Sequence, residues 1–187
     1  MDNTNTNILS EEEQQHYDDD VHVQPSYSSY VILSNLQSGM NIGNILRSAS
    51  IFGCTECIVV GQKRHRLTGD HGSRFDLPRR HFYTHVEAKT YLNKQQQQQT
   101  GKRNKTNTNN AIKSMVNGAA FVMGNEGLGL SEKQKEICDE FIFIPQTRGG
   151  RSASLNVSCA AAIILHAYSL WADYPVAAIE GEKFVAT

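Results

Sequence analysis

The sequence predicts an α/β domain with a mostly parallel sheet and helices on both faces. Three observations carry that prediction. Short, continuously apolar runs at Tyr30–Leu33 and Cys57–Val60 read as buried strands of a parallel-sheet kind, and Ala119–Met123 reads as a further strand. Between the first two, Ile42, Ile45, Leu46, Ala49 and Phe52 fall on one helical face, giving strand, helix and strand within about 30 residues and implying a right-handed parallel crossover. A helix-length apolar segment entered near Ser154 and running through Val157–Trp171 supplies a second core helix.

At 187 residues, with 39% hydrophobic content, the chain suits one core with trimmings. Residues 1–27 are rich in Asn, Gln, Asp, Glu and Ser without hydrophobic period, and read as a disordered acidic arm. The folded material spans 28–175, interrupted by a low-complexity Gln/Asn insertion at 93–110 and followed by a tail at 176–187. Net charge is −1, but seven of the 19 acidic residues lie in 1–29, where there is no Lys or Arg. The remainder is therefore basic, which suits a nucleic-acid partner without requiring one.

Along the chain, Ser34–Met40 is a loop leading into the first helix, and Gly53 is placed to end that helix. The connection after the second strand carries Lys63, Arg64, Arg66, Arg74, Arg79 and Arg80, with Phe82 and Tyr83 close behind, a pattern that reads as a phosphate-backbone surface. A short strand is expected at His81–Thr84, then a helix to about Leu92 opened by the capping-box spacing Thr84-His-Val-Glu87. After Ala119–Met123 comes the glycine loop 124–129, and Ser131 with Gln134 caps another helix. The run Phe141–Ile144 reads as a strand, followed by Pro145 and a polar loop containing Arg148 and Arg151.

Several chemistries are weakened by spacing. The loop Gly124-Asn-Glu-Gly-Leu-Gly129 lacks the Gly-Lys-Ser/Thr of a P-loop and the glycine spacing of a dinucleotide fingerprint. Cys54 and Cys57 have CxxC spacing, yet Cys138 and Cys159 stand singly and no second pair completes a metal set, so the cysteines read as small, reduced and mostly buried, with no metal expected. No apolar leader or membrane-length run is evident, which leads to the expectation of a cytoplasmic or nuclear protein. Asn41, Asn44 and Arg47 lie three residues apart near a helix start; they either converge on one cleft or form an ordinary solvated face.

Three stretches, Asn41–Gly53, Phe121–Ser131 and Ile144–Ser158, closely resemble the three signatures of the SpoU (TrmH-like) RNA methyltransferases of the SPOUT superfamily. Each sits at a strand-to-helix junction, and together they cover roughly residues 30–173. The resemblance implies a C-terminal deep trefoil knot, S-adenosyl-L-methionine as methyl donor, a homodimer through the knot region and methylation of a ribose 2′-hydroxyl in RNA, with tRNA expected first and rRNA second. Carried over by residue, it implies catalytic roles for Arg47, Asn41, Glu126, Ser154 and Asn156. It implies cofactor contacts from Met123, Gly124, Asn125, Glu126, Gly127, Ile144, Pro145, Gln146, Ser154 and Leu155, where Gln146 replaces a methionine common in the family. A catalytically idle RNA-binding member of the same fold is the rival reading, as is a redox or metal protein built on Cys54 and Cys57.

Overall fold

The computed structural model of the chain describes residues 27–61, 76–100, 118–147, 154–180 and 183–184. The elements are β1 (Ser29–Leu33), α1 (Gly39–Ile51), β2 (Glu56–Val60), β3 (Arg79–Phe82), α2 (His85–Thr100), β4 (Ala119–Met123), α3 (Glu132–Lys135) and α4 (Val157–Trp171), then a small antiparallel pair, β5 (Ile179–Glu180) with β6 (Lys183–Phe184). The first four strands form one parallel sheet in the order β3-β2-β1-β4. Chain order reverses direction between β1 and β4. In an open parallel sheet that is where the loops at the carboxyl ends of the strands separate and leave room for a ligand.

Side-chain alternation along β1 divides the core into two layers. Val31 and Leu33 join Ile42, Ile45, Leu46 and Ala49 of α1 and Ala161, Leu165 and Tyr168 of α4. On the opposite face, Tyr30 and Ile32 join Ile58 and Val60 of β2 and Ala88 of α2. Helices therefore cover both faces, as the apolar runs require: β1 and most of β2 are buried strands. Helix α1 begins where the Ser38 hydroxyl accepts from the Asn41 N–H at 3.3 Å and ends against Gly53, whose φ of +70° few other residues adopt without strain.

Four expectations need correction. Phe141–Ile144 is not a strand: Phe141, Ile142 and Phe143 are exposed and pair with no neighbour in the sheet. The last helix starts at Val157 rather than near Ser154, because the Asn156 side chain takes the N-cap position and accepts from the Ser158 N–H. The third strand sits two residues earlier, at Arg79–Phe82, where Arg79 pairs in register with Cys57. Helix α2 continues past Leu92 to Thr100, since Gln is a good helix former and neither Gly nor Pro intervenes before Gly101. Its start is as the spacing predicts: Glu87 accepts from the Thr84 N–H at 3.1 Å while Thr84 Oγ1 accepts from the Glu87 N–H at 3.2 Å.

Edge strand β3 is tied down by a group the sequence did not single out. Glu56, buried in β2, accepts from Arg80 Nε at 3.0 Å and from the Tyr91 hydroxyl at 2.7 Å, and the Arg80 guanidinium lies 4.6 Å from the Tyr91 ring centre. Cys54 and Cys57 are also buried, and burial pushes their thiols up to about 11 and about 12, so neither is a thiolate at neutral pH. Cys138 is half-buried and Cys159 exposed, which limits the expectation of buried cysteines to two of the four. Among the described residues no cluster of His, Cys, Asp and Glu is arranged to hold a metal ion, and no helix is long and apolar enough to cross a membrane. The knot implied by the resemblance is not shown by the described residues, and 148–153, in the loop concerned, lie outside them.

Leu165 is 1% exposed at the seam between α1 and α4. Leu165→Ala leaves a cavity there and is expected to cost about 3 kcal/mol in urea denaturation, near the middle of the range for buried leucines.

Candidate active site

The site grows from the two loops that flank the reversal of the sheet, 34–38 after β1 and 124–131 after β4. The second loop closes on itself: Asn125 and Gly129 exchange backbone hydrogen bonds of 2.8 and 2.9 Å, and Asn125 Oδ1 accepts from the Gly127 and Leu128 N–H groups. Gly124 stands where a Cβ would lie 2.7 Å from the Gly129 carbonyl carbon, so only glycine fits this fold of the chain. Asn125 Nδ2 then donates to the Asn35 carbonyl at 2.8 Å, fastening one loop to the other.

Glu126 completes the junction. Its carboxylate accepts from the Gln37 N–H at 3.2 Å, the Ser38 N–H at 3.1 Å and Asn41 Nδ2 at 3.1 Å, all at the start of α1. A helix N-terminus with unpaired N–H groups favours an anion, and here the chain supplies its own. Partial burial works against the charge, yet the hydrogen bonds from Asn41 and from backbone N–H groups outweigh it and hold the Glu126 carboxyl below the ordinary carboxylate range.

The Asn41 amide also faces the third signature. Its Oδ1 accepts from Asn156 Nδ2 at 3.1 Å, while Asn156 Oδ1 accepts from the Ser158 N–H at 2.8 Å and the Ser158 hydroxyl at 2.7 Å. One amide thus links a residue from each of the three signatures, bringing together Asn41, Glu126 and Asn156. Arg47 lies on the same helix, exposed, and among the described residues no hydrogen bond joins it to this network. Asn44 is half-buried, and among the described residues no hydrogen bond joins it to this network either. Ser154 and Leu155 are exposed just before the Asn156 cap; Pro145 and Gln146 are exposed and Ile144 half-buried in the segment after α3. Met123 is buried in the core and offers the site only its carbonyl, which accepts from Gln134 Nε2 at 3.0 Å.

Of the expected RNA contacts, Arg79 is exposed on β3 and Arg80 is engaged with Glu56; Lys63, Arg64, Arg66, Arg74, Arg148 and Arg151 lie outside the described residues. From the sequence Ser34 has no role, His85 is weighed only for its helix-type spacing from His81 as a metal pair, and Gln134 only as a cap. Gln134 is fully buried and donates to Ser34 Oγ at 2.8 Å, while His85 Nε2 lies 3.0 Å from the same oxygen. The Ser131–Gln134 capping spacing and the His81–His85 spacing are the signals at these residues, and neither speaks of the contact with Ser34.

A polar junction of loops at the carboxyl edge of a parallel sheet is where an open α/β domain takes a ligand, and the comparisons with known proteins narrow the class. Residues 28–166 match the model of the SpoU rRNA methylase family, and the chain belongs to that family. Among solved structures it is similar to the SpoU methyltransferase AviRb from Streptomyces viridochromogenes, with 23% identity and a TM-score of 0.62 over 79% of this chain and 60% of that one. It is also similar to AviRb in complex with AdoMet, with 22% identity and a TM-score of 0.60 over 80% of this chain and 59% of that one. A third is the A. aeolicus TrmH/SpoU tRNA modifying enzyme, with 21% identity and a TM-score of 0.56 over 80% of this chain and 77% of that one. These likenesses carry the fold, and this chain spans about 60% of the length of AviRb. No curated relative matches the sequence.

Because its carboxyl is held below the ordinary value of 4.5, Glu126 contributes stability that is present above pH 4.5 and is lost as pH falls through its folded value. Glu126→Gln is therefore expected to be less stable than the wild type in urea at pH 7. The gap should narrow steadily in titrations taken below pH 4.5.

Proposed function

We propose that this protein is an S-adenosyl-L-methionine-dependent RNA methyltransferase that modifies a ribose 2′-hydroxyl, in tRNA first and in rRNA as the alternative, and that it works in the cytoplasm or nucleus. The observation that carries this reading is the Asn41 amide, through which Glu126 and Asn156 meet. The three signature loops thereby come to one place. Apolar Leu128 and Leu155 stand uncovered on two of them beside backbone that belongs to no sheet, a surface suited to an adenine and a methionine chain.

When bound, S-adenosyl-L-methionine supplies a methyl group on a sulfonium, ready for in-line displacement. The protein then has to hold a ribose oxygen in line and let one proton leave. Glu126 is unsuited to take that proton, since its carboxylate is depressed in pKa and already accepts three hydrogen bonds. Asn41 and Asn156 have their amides committed to the frame and cannot act as bases. Arg47 is exposed and its guanidinium offers only donors, which fits it to hold a phosphate or the developing alkoxide rather than to abstract a proton. The Ser154 hydroxyl, exposed beside the frame, passes the proton to solvent in this scheme.

The same reading makes the protein a homodimer with a knotted C-terminal segment. Exposed Phe141, Ile142 and Phe143, together with Ile163, Leu170 and Trp171 on α4, support it by leaving apolar surface that needs a cover.

The test is transfer of tritiated methyl from S-adenosyl-L-methionine to bulk tRNA and to rRNA, followed by alkaline hydrolysis. Label in alkali-resistant dinucleotides is expected. Cofactor binding in calorimetry without any transfer would instead point to the idle member of the fold. Arg47→Lys is expected to lower turnover about 100-fold, as loss of a positioned donor does, while RNA affinity holds. Near-wild-type turnover in this variant would sink the positioning role.

A further inference from the structure

A groove of about 1310 Å³ opens at the carboxyl ends of β1 and β2, between the loop 34–37, the first turns of α2, and α3. None of the expected cofactor residues lines it. It is nevertheless one loop away from them: Gln37 lines the groove while its N–H is bound by Glu126, and Asn35 lines it while its carbonyl is bound by Asn125. We propose that this groove holds an unpaired stretch of the RNA substrate next to the target ribose, with a base stacked on Tyr83 and a polar edge read by His85. The proposal rests on the RNA-methyltransferase reading above and names a substrate subsite for it.

Three features carry the inference. Tyr83 lines the groove with 74% of its surface exposed, and its position is set from behind, by an edge contact to His81 at 4.8 Å between ring centres and by Glu87 accepting from its N–H at 3.0 Å. An exposed aromatic ring on a fixed backbone is the usual platform for an unstacked base. His85 is held by one edge of its ring. Its Nε2 lies 3.0 Å from the oxygen of buried Ser34, which also accepts from Gln134 Nε2 at 2.8 Å. Burial and the nearby Lys133 charge push the His85 pKa down, which favours the neutral ring.

The third feature is charge. Lys89 is spent on Asp139 at 2.9 Å and on the Ile137 carbonyl at 3.0 Å, whereas no ion pair among the described residues involves Lys133, an exposed lysine of the lining. Exposed Glu136 lines the same groove, so the cation is local to Lys133, and that cation, the Tyr83 ring and the held His85 edge together match one nucleotide. The volume exceeds the roughly 300–1,000 Å³ of a small-molecule pocket, which favours a chain of nucleotides over a free metabolite.

The experiment measures binding of fluorescein-labelled bulk tRNA to the full chain by anisotropy, with hexauridylate, hexaadenylate and an RNA duplex as competitors. Calorimetry with S-adenosyl-L-methionine and a melting curve accompany each variant. Tyr83→Ala is expected to weaken tRNA binding about 10-fold or more, with cofactor affinity and melting unchanged, and Tyr83→Phe to restore it. Lys133→Ala should lower the slope of log affinity against log salt by about one. The single-stranded competitors should displace tRNA better than the duplex. Wild-type affinity in Tyr83→Ala, from a protein that methylates RNA, overturns the groove and leaves the methyltransferase standing. Absence of methyl transfer in the wild type, with tRNA binding that still falls in Tyr83→Ala, overturns the methyltransferase and leaves the groove as an RNA site.

Discussion

The structure depends on one side chain, the amide of Asn41. It is 8% exposed, donates to Glu126 and accepts from Asn156, so both of its ends are used inside the protein. Each such bond contributes only about 1 kcal/mol net, but a buried polar group left without its partner costs about 1–3 kcal/mol. The arrangement therefore holds more through the cost of breaking it than through the gain of making it. Glu126 adds a complementary negative charge beside the start of α1, bound to the N–H groups of Gln37 and of the cap residue Ser38.

This amide has a fixed address because the two core layers fix its helix. Ile45, Leu46 and Ala49 lock α1 to β1 and α4 from one side of the sheet. With the helix seated, Ser38 sets its first turn and Asn41 follows one turn later. Asn156 reaches it because α4, packed on α1, begins there with Asn156 as its cap. The polar residues are few, but each hangs on a packed helix or a closed loop, and this keeps a site carried on loops in register.

Much of this was legible in the sequence, and the parts that were not have physical causes. Apolar runs located β1, β2 and β4 to within a residue: β1 and β2 because a strand buried on both faces has few polar positions to blur it, and β4 because its exposed Ala120 is itself apolar. Asn41, Glu126 and Asn156 were named one by one from the signatures, yet nothing in their spacing showed that Asn41 joins the other two. That contact spans 85 residues on one side and 115 on the other. Phe141–Ile144 misled because an apolar run records a need for burial and not the partner that satisfies it. Helix α2 was cut short at Leu92 because a glutamine run signals low complexity and helix propensity together. The Ser34, His85 and Gln134 cluster was invisible for another reason: three common polar residues, far apart in the chain, have no spacing to betray them.

A double-mutant cycle in urea denaturation, with Asn41→Ala, Glu126→Ala and the pair, tests most directly whether the signatures are physically coupled at this point. The account predicts a coupling energy between about 0.5 and 3 kcal/mol, as for residues in one hydrogen-bond network. Additive losses would mean that the two residues act independently, contradicting the role given to the Asn41 amide.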